Sequence, residues 1–169
     1  MVLKRKKKVA HVIYDDGPGG GPRTVVQQLI LAQQRFDLHV FHGGRGCIVD
    51  YCEKTGLHHT KIPLDKKRKL LLGFFHLLWG VFRFKPDALV LHGQWAAPVG
   101  AIVGRLAGIK TMIYIVHWPS FFTDWDLFRV LRNHLAERIP CRMASLVVFL
   151  SEGNRYEFLI RKLVRQVVR

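Results

Sequence analysis

Val9-Ala10-His11-Val12-Ile13-Tyr14-Asp15-Asp16-Gly17-Pro18-Gly19-Gly20-Gly21-Pro22-Arg23-Thr24-Val25-Val26-Gln27-Gln28-Leu29-Ile30 changes character twice. A short apolar run breaks into glycines and prolines, and an amphipathic helix then resumes with Val25, Val26, Leu29 and Ile30 on one face. A glycine-rich turn from strand to helix usually approaches a phosphate. Its backbone carries no Cβ to keep a ligand away, and the helix behind it aims unpaired N–H groups and a positive dipole end at the same place. Pro22 suits the first helical turn, where its missing N–H would have been an orphan.

Outward from this turn, short apolar runs alternate with longer helical stretches. Strands are expected at Val9 to Asp15, Asp37 to His42, His58 to Leu64, Ala88 to His92, Lys110 to His117 and Ser145 to Ser151. Helices are expected at Val25 to Gln34, Cys47 to Lys54 (stopped by Gly56), Lys66 to Phe84 (closed by Pro86), Trp95 to Leu106, Thr123 to Arg138 and Asn154 to Val168. The polar third strand should lie at a sheet edge. Such β-α alternation predicts an α/β fold: a doubly wound Rossmann-like sheet of about six to seven mainly parallel strands with helices on both faces. Right-handed crossovers favour the order 3-2-1-4-5-6. Residues 1–169 are expected to form a single domain, since nearly half of them are apolar and the length suits one core.

The chain carries 27 Lys and Arg against 12 Asp and Glu, a net charge of +15, which favours anionic partners. Basic residues cluster at Lys4 to Lys8, Lys66 to Lys69 and Arg155 to Arg169, each open to reading as a solvated face or as a contact surface. Three cysteines, Cys47, Cys52 and Cys141, at irregular spacing read as reduced thiols in a cytoplasmic setting. Val9 to Tyr14 is too short an apolar stretch for a signal peptide, and Leu70 to Phe82 falls well short of a bilayer span.

In an open parallel sheet, ligands bind beyond the carboxyl ends of the strands. Here those ends carry the glycine turn with Gly19, Gly20, Gly21 and Arg23, then His42-Gly43-Gly44, His92-Gly93-Gln94, His117-Trp118 and Ser151-Glu152-Gly153. One strand-end histidine is ordinarily a satisfied structural residue, but three on one rim suggest a ligand crevice. A dinucleotide fingerprint fails because Pro22 would fall at its third glycine and His42 stands where an acidic residue should hold a ribose. A P-loop fails because Pro22-Arg23-Thr24 replaces Gly-Lys-Ser/Thr. Cys47, Cys52, His58 and His59 match no compact zinc spacing, so no metal site is expected. No nucleophile elbow is present.

Four segments in order resemble the N-terminal domain of GT-B-fold glycosyltransferases, family 4 in particular. They are Gly19 to Val26, Pro86-Asp87-Ala88-Leu89-Val90-Leu91-His92-Gly93, Met112-Ile113-Tyr114-Ile115-Val116-His117 and Ala144-Ser145-Leu146-Val147-Val148-Phe149-Leu150-Ser151-Glu152. The resemblance implies retaining sugar transfer from a nucleotide-sugar donor to a sugar or lipid-linked acceptor, without metal or cofactor. By position it implies that Gly20 and Gly21 approach the donor diphosphate and that His92 lines the cleft. His117 would face the reacting sugar as the catalytic residue, and Ser151 would close the last strand. Gly19, Arg23, Trp118 and Glu152 complete the expected substrate-binding set. Such enzymes carry a second, donor-binding domain with a glutamate pair that Glu152 and Glu157 do not match in spacing. The chain therefore reads as an isolated N-terminal half, inactive alone, with one subunit of a split enzyme as the alternative.

Lys66-Lys67-Arg68-Lys69, followed by an apolar helix containing Trp79, could rest on an anionic bilayer at the inner face of the membrane, or could simply cover the sheet. A non-catalytic basic module docking a membrane or a protein is the alternative function. A nucleic-acid binder is not favoured, because no basic-aromatic module signature is present.

Overall fold

The computed structural model describes residues 5–14, 20–63, 69–93, 95–117, 127–161 and 163. Six parallel strands, β1 (Lys8–Ile13), β2 (Asp37–His42), β3 (His58–Lys61), β4 (Ala88–His92), β5 (Thr111–Val116) and β6 (Leu146–Phe149), form one sheet ordered β3-β2-β1-β4-β5-β6. The expected architecture and strand order are both present. The crossovers are α1 (Gly20–Ala32), α2 (Cys47–Thr55), α3 (Leu70–Phe84), α4 (Ala96–Leu106) and α5 (Leu127–Met143), and α6 (Glu152–Ile160) follows the last strand.

Alternation along the strands divides the apolar side chains between two layers. Ile13, Leu38 and Val40 meet Val25 and Leu29 of α1 and Ile48 and Cys52 of α2. Ala10, Val12, Phe41, Leu89, Leu91, Met112, Tyr114 and Val116 meet α3, α4, α5 and α6 on the opposite face. That second layer is thin where α4 crosses it. A Cβ on Gly100 would lie 2.6 Å from Leu91 Cδ2, and one on Gly104 would lie 2.6 Å from Met112 Sδ and 2.7 Å from Leu89 Cδ1. Only hydrogen at those two positions lets the helix settle this close to the sheet.

Polar contacts fix the ends. The Lys8 amide donates to Asp87 Oδ2 at 2.8 Å and the Asp87 amide returns a bond to the Lys8 carbonyl at 2.8 Å, tying the starts of β1 and β4 together. Ser145 ties β6 to β5, because its Oγ accepts from the Met112 amide at 3.0 Å and donates to the Met112 carbonyl at 2.8 Å. Beneath β5 the buried Tyr114 hydroxyl donates to the carboxylate of buried Glu137 in α5.

Several element boundaries differ from the expectation. The first helix begins at Gly20 rather than Val25, so Gly20 and Gly21 already belong to its opening turn, where the Thr24 hydroxyl donates to the Gly20 carbonyl at 3.0 Å. The fifth helix continues beyond Arg138 through Pro140 to Met143. A proline so near a helix end sacrifices one backbone bond, and its own carbonyl still accepts from the Ala144 amide at 2.8 Å. The last helix stops at Ile160, because the Leu163 amide turns back to the Phe158 carbonyl at 3.0 Å and buries the Leu163 side chain. The third strand is shorter than expected and lies at the edge, mostly exposed. No helix among the described residues is long and apolar enough to cross a membrane.

Candidate functional site

The carboxyl ends of β1, β4 and β5 and the first turn of α1 enclose a cavity of about 290 Å³ lined by Ile13, Tyr14, Gly21, Pro22, His92, Gly93, Trp95 and His117. Each wall has a local reason. Gly93 turns the chain out of β4 at φ +70°, a left-handed conformation that glycine takes without strain, and its carbonyl receives the Ala97 amide at 3.0 Å to start α4. Gly21 faces His117 closely enough that an added Cβ would lie 3.6 Å from the His117 Cγ. Trp95 closes the side, with the Arg132 guanidinium 5.3 Å over its ring.

A row of three imidazoles leads from the sheet interior to this cavity, His92 and His117 lining it and His11 lying behind them. His92 is the register partner of Ile13, so His11, two residues earlier on the same face of β1, lies diagonal to it. His11 Nδ1 stands 3.0 Å from His92 Nε2, and His92 Nδ1 stands 3.0 Å from His117 Nε2. Successive ring centroids are 5.3 Å apart. The chain ends at His117 Nδ1, a buried atom with no hydrogen-bond partner among the described residues. Burial lowers the pKa of His11 to about 4 and lowers that of His117. His92 is held well below the ordinary histidine value by burial, with further repulsion from His11 and His117. All three rings are therefore neutral at neutral pH, each with one N–H to give and one lone pair to offer.

Of the residues expected from sequence to form a site, the structure brings Gly21, His92 and His117 together. Gly20 begins α1 beside them, with open space at its Cβ position. Arg23 is exposed and outside the lining. Ser151 caps α6 by accepting from the Asn154 amide at 3.1 Å, and Glu152 pairs with Arg155 at 3.2 Å. Neither lines the cavity. Gly19, Trp118, Lys66, Lys67 and Arg68 lie outside the described residues, while Lys69, just before α3, and Trp79 on it are exposed. The third rim histidine, His42, is engaged elsewhere: its Nε2 lies 3.1 Å from His59 Nδ1 and its Nδ1 lies 3.2 Å from the Gly44 carbonyl. His11, Tyr14 and Trp95 were not singled out from sequence. A polar residue at an interior position of the apolar first strand is the one signal that could have marked His11.

The cysteines are free thiols. Cys52 is buried against α1 and β2 side chains, and burial pushes its thiol up to about 11. Among the described residues no three His, Cys, Asp or Glu side chains converge as a metal-holding group.

No family model matches the sequence, and no curated protein matches it. Solved structures do. HepE of Anabaena in complex with UDP is 18% identical with TM-score 0.72, over 92% of this chain and 41% of that one. The MurG of Acinetobacter baumannii is 19% identical with TM-score 0.60, over 87% and 41%. A UDP-N-acetylglucosamine 2-epimerase from Rickettsia bellii is 14% identical with TM-score 0.66, over 95% and 43%. These likenesses show a GT-B-type Rossmann-like fold and do not single out glycosyltransferase family 4. The chain spans less than half the length of each of these structures.

Proposed function

We propose that this chain is the acceptor-side half of a retaining glycosyltransferase that moves a sugar from a nucleotide-sugar donor, with the cavity between α1 and the ends of β1, β4 and β5 holding the reacting groups. The observation that carries this reading is the buried His117 Nδ1, which has no hydrogen-bond partner among the described residues and faces Gly21 in the first turn of α1. A helix start and an imidazole sharing one small cavity suit a ligand with negative charge beside a hydroxyl. The fold likeness to HepE, crystallised with UDP and with UDP and glucose, supports the same reading.

In this mechanism the N–H groups of the first turn of α1, at Gly20 and Gly21, and the α1 dipole stabilise the departing diphosphate. His117 Nδ1 orients a sugar hydroxyl, and His92 holds the His117 ring in place. Rate comes from positioning and from stabilised leaving-group charge, with no protein nucleophile and no cofactor. A second domain, like the larger share of the HepE and MurG chains lying beyond the match, would hold most of the nucleotide. The present residues alone should therefore transfer little or no sugar.

The test is amide and imidazole shift mapping with UDP, UDP-glucose, UDP-N-acetylglucosamine and glucose 1-phosphate. The reading expects Gly20, Gly21, Gly93 and His117 to move together. It is overturned if none of these ligands moves them at millimolar concentration.

A second reading, compatible with the first, places α3 on an anionic membrane at the cytoplasmic face. Leu71, Leu72, Phe75, Trp79 and Phe82 are exposed along one helix, with Leu71 at 70% and Trp79 at 65%, while Leu77 and Val81 are buried against the sheet. Lys69 and Arg83 flank this strip, and the Arg83 guanidinium lies 5.3 Å over the Trp79 ring. An apolar strip edged by cations matches the boundary between headgroups and acyl chains. Flotation with vesicles containing phosphatidylglycerol should carry the protein upward, and equal flotation without the anionic lipid would count against the charged component.

A further inference from the structure

We infer that His11, which lies outside the cavity, is a positioning residue: through His92 it completes a chain that locks the tautomer of His117 to those of its neighbours, so that the start of α1 sets all three rings and the His117 Nδ1 lone pair is left directed at it. This rests on the reading that His117 meets the ligand. The tautomer itself exists without any ligand, so the two can fail separately.

The constraint is one of counting. A neutral imidazole has one N–H and one lone pair, so a chain of three rings joined nitrogen to nitrogen has only two complete arrangements. In the first, His117 Nε2–H donates to His92 Nδ1 and His92 Nε2–H donates to His11 Nδ1, which leaves the His117 Nδ1 bare. In the second, His11 Nδ1–H donates to His92 Nε2 and His92 Nδ1–H donates to His117 Nε2, which places N–H at the His117 Nδ1. His92 is 0% exposed, so water does not offer either of its nitrogens a substitute partner. The tautomer of His117 thus cannot change without changing those of His92 and His11.

The start of α1 chooses between the two. Gly21 and Pro22 of its first turn line the same cavity as His117, whose Nδ1 lies 3.7 Å from where a Cβ on Gly21 would stand, so the positive end of the helix dipole lies beside that nitrogen. A lone pair there is favoured and an N–H is opposed. The bare Nδ1 then accepts from a hydroxyl and repels a phosphate oxygen, so the cavity separates the two ends of a sugar diphosphate: hydroxyl at His117, phosphate at the helix start. Without His11 the His92 Nε2–H loses its acceptor, and the preference at His117 is no longer transmitted along a complete chain.

The experiment is nitrogen-15 imidazole spectroscopy on the full chain at neutral pH, with and without UDP-glucose. Wild type should show His117 as a single Nε2–H tautomer and two hydrogen-bonded imidazole protons in slow exchange with water. His11→Phe, which keeps a ring of similar shape, should show His117 as a mixture of tautomers and bind UDP-glucose about tenfold more weakly, the cost of one misdirected hydrogen bond. His11→Asn, whose amide oxygen can accept where Nδ1 did, should restore the single tautomer. An unchanged His117 tautomer in folded His11→Phe overturns the proposal. If that variant does not fold, absence of the two protected imidazole protons in wild type overturns it equally. Wild type that shows the chain but no effect of UDP-glucose or of the other three ligands leaves the positioning role standing and removes the sugar-nucleotide reading.

Discussion

Gly100 of α4 stands so near Leu91 of β4 that a methyl group on the glycine would lie 2.6 Å from the leucine Cδ2. A clash of that depth displaces the helix or forces the leucine out of its rotamer. Gly100→Ala should therefore destabilise by about 1–3 kcal/mol, overpacking outweighing the roughly 1 kcal/mol gained in helix propensity. Gly21→Ala meets His117 only at ordinary contact distance, 3.6 Å, and should leave the urea midpoint nearly unchanged. Equal midpoints for the two variants would contradict the packing described for α4.

Tyr114→Phe removes the hydroxyl that donates to buried Glu137. Glu137 is 0% exposed, and a carboxylate deprived of a donor in that setting should cost about 1–3 kcal/mol. Hydrogen exchange should show the loss first in α5, the element this bond anchors.

Acid should weaken the fold before the carboxylates titrate. His11 and His39 are each held near a pKa of about 4, His11 by burial and His39 by burial together with His58 and His59. Both stay neutral in the folded protein and take up a proton on unfolding at their ordinary 6.5. From pH 6.5 down to about 4 the unfolded chain binds more protons, so stability falls as pH falls, by about 3 kcal/mol for His11 alone. Urea midpoints between pH 7 and pH 4.5 should show this slope, and His11→Phe should flatten part of it.

Phe75→Ala and Trp79→Ala remove exposed side chains from α3. Stability should change by less than about 0.5 kcal/mol, as for other surface positions. Binding to anionic vesicles should fall several-fold for the pair. Retained vesicle binding would assign the membrane contact to another surface.

Strand order was legible because each apolar run is short, each crossover is long enough for a helix, and handedness leaves few arrangements. The rim position of His92 and His117 followed from the same reading. What did not follow was partnership. His42 stands on the rim as plainly as they do, yet β3 brings His59 within 3.1 Å of it and diverts it from the cavity. His11 is enclosed within an apolar strand, where nothing local distinguishes a core histidine from one end of a chain of rings. Helix limits failed at Gly20 and Pro140 for a related reason: propensity disfavours both residues in helices, but near an end the structure tolerates them.

Both outer strands, β3 and β6, are only four residues long, whereas the inner ones run to five or six. A sheet that tapers in this way offers a foreign strand few rungs to grip, and β3 adds exposed His58 and Lys61 along its border. Short borders, one of them carrying Lys61, oppose edge-to-edge polymerisation, so they should help the protein stay dispersed at the concentrations that ligand titrations require.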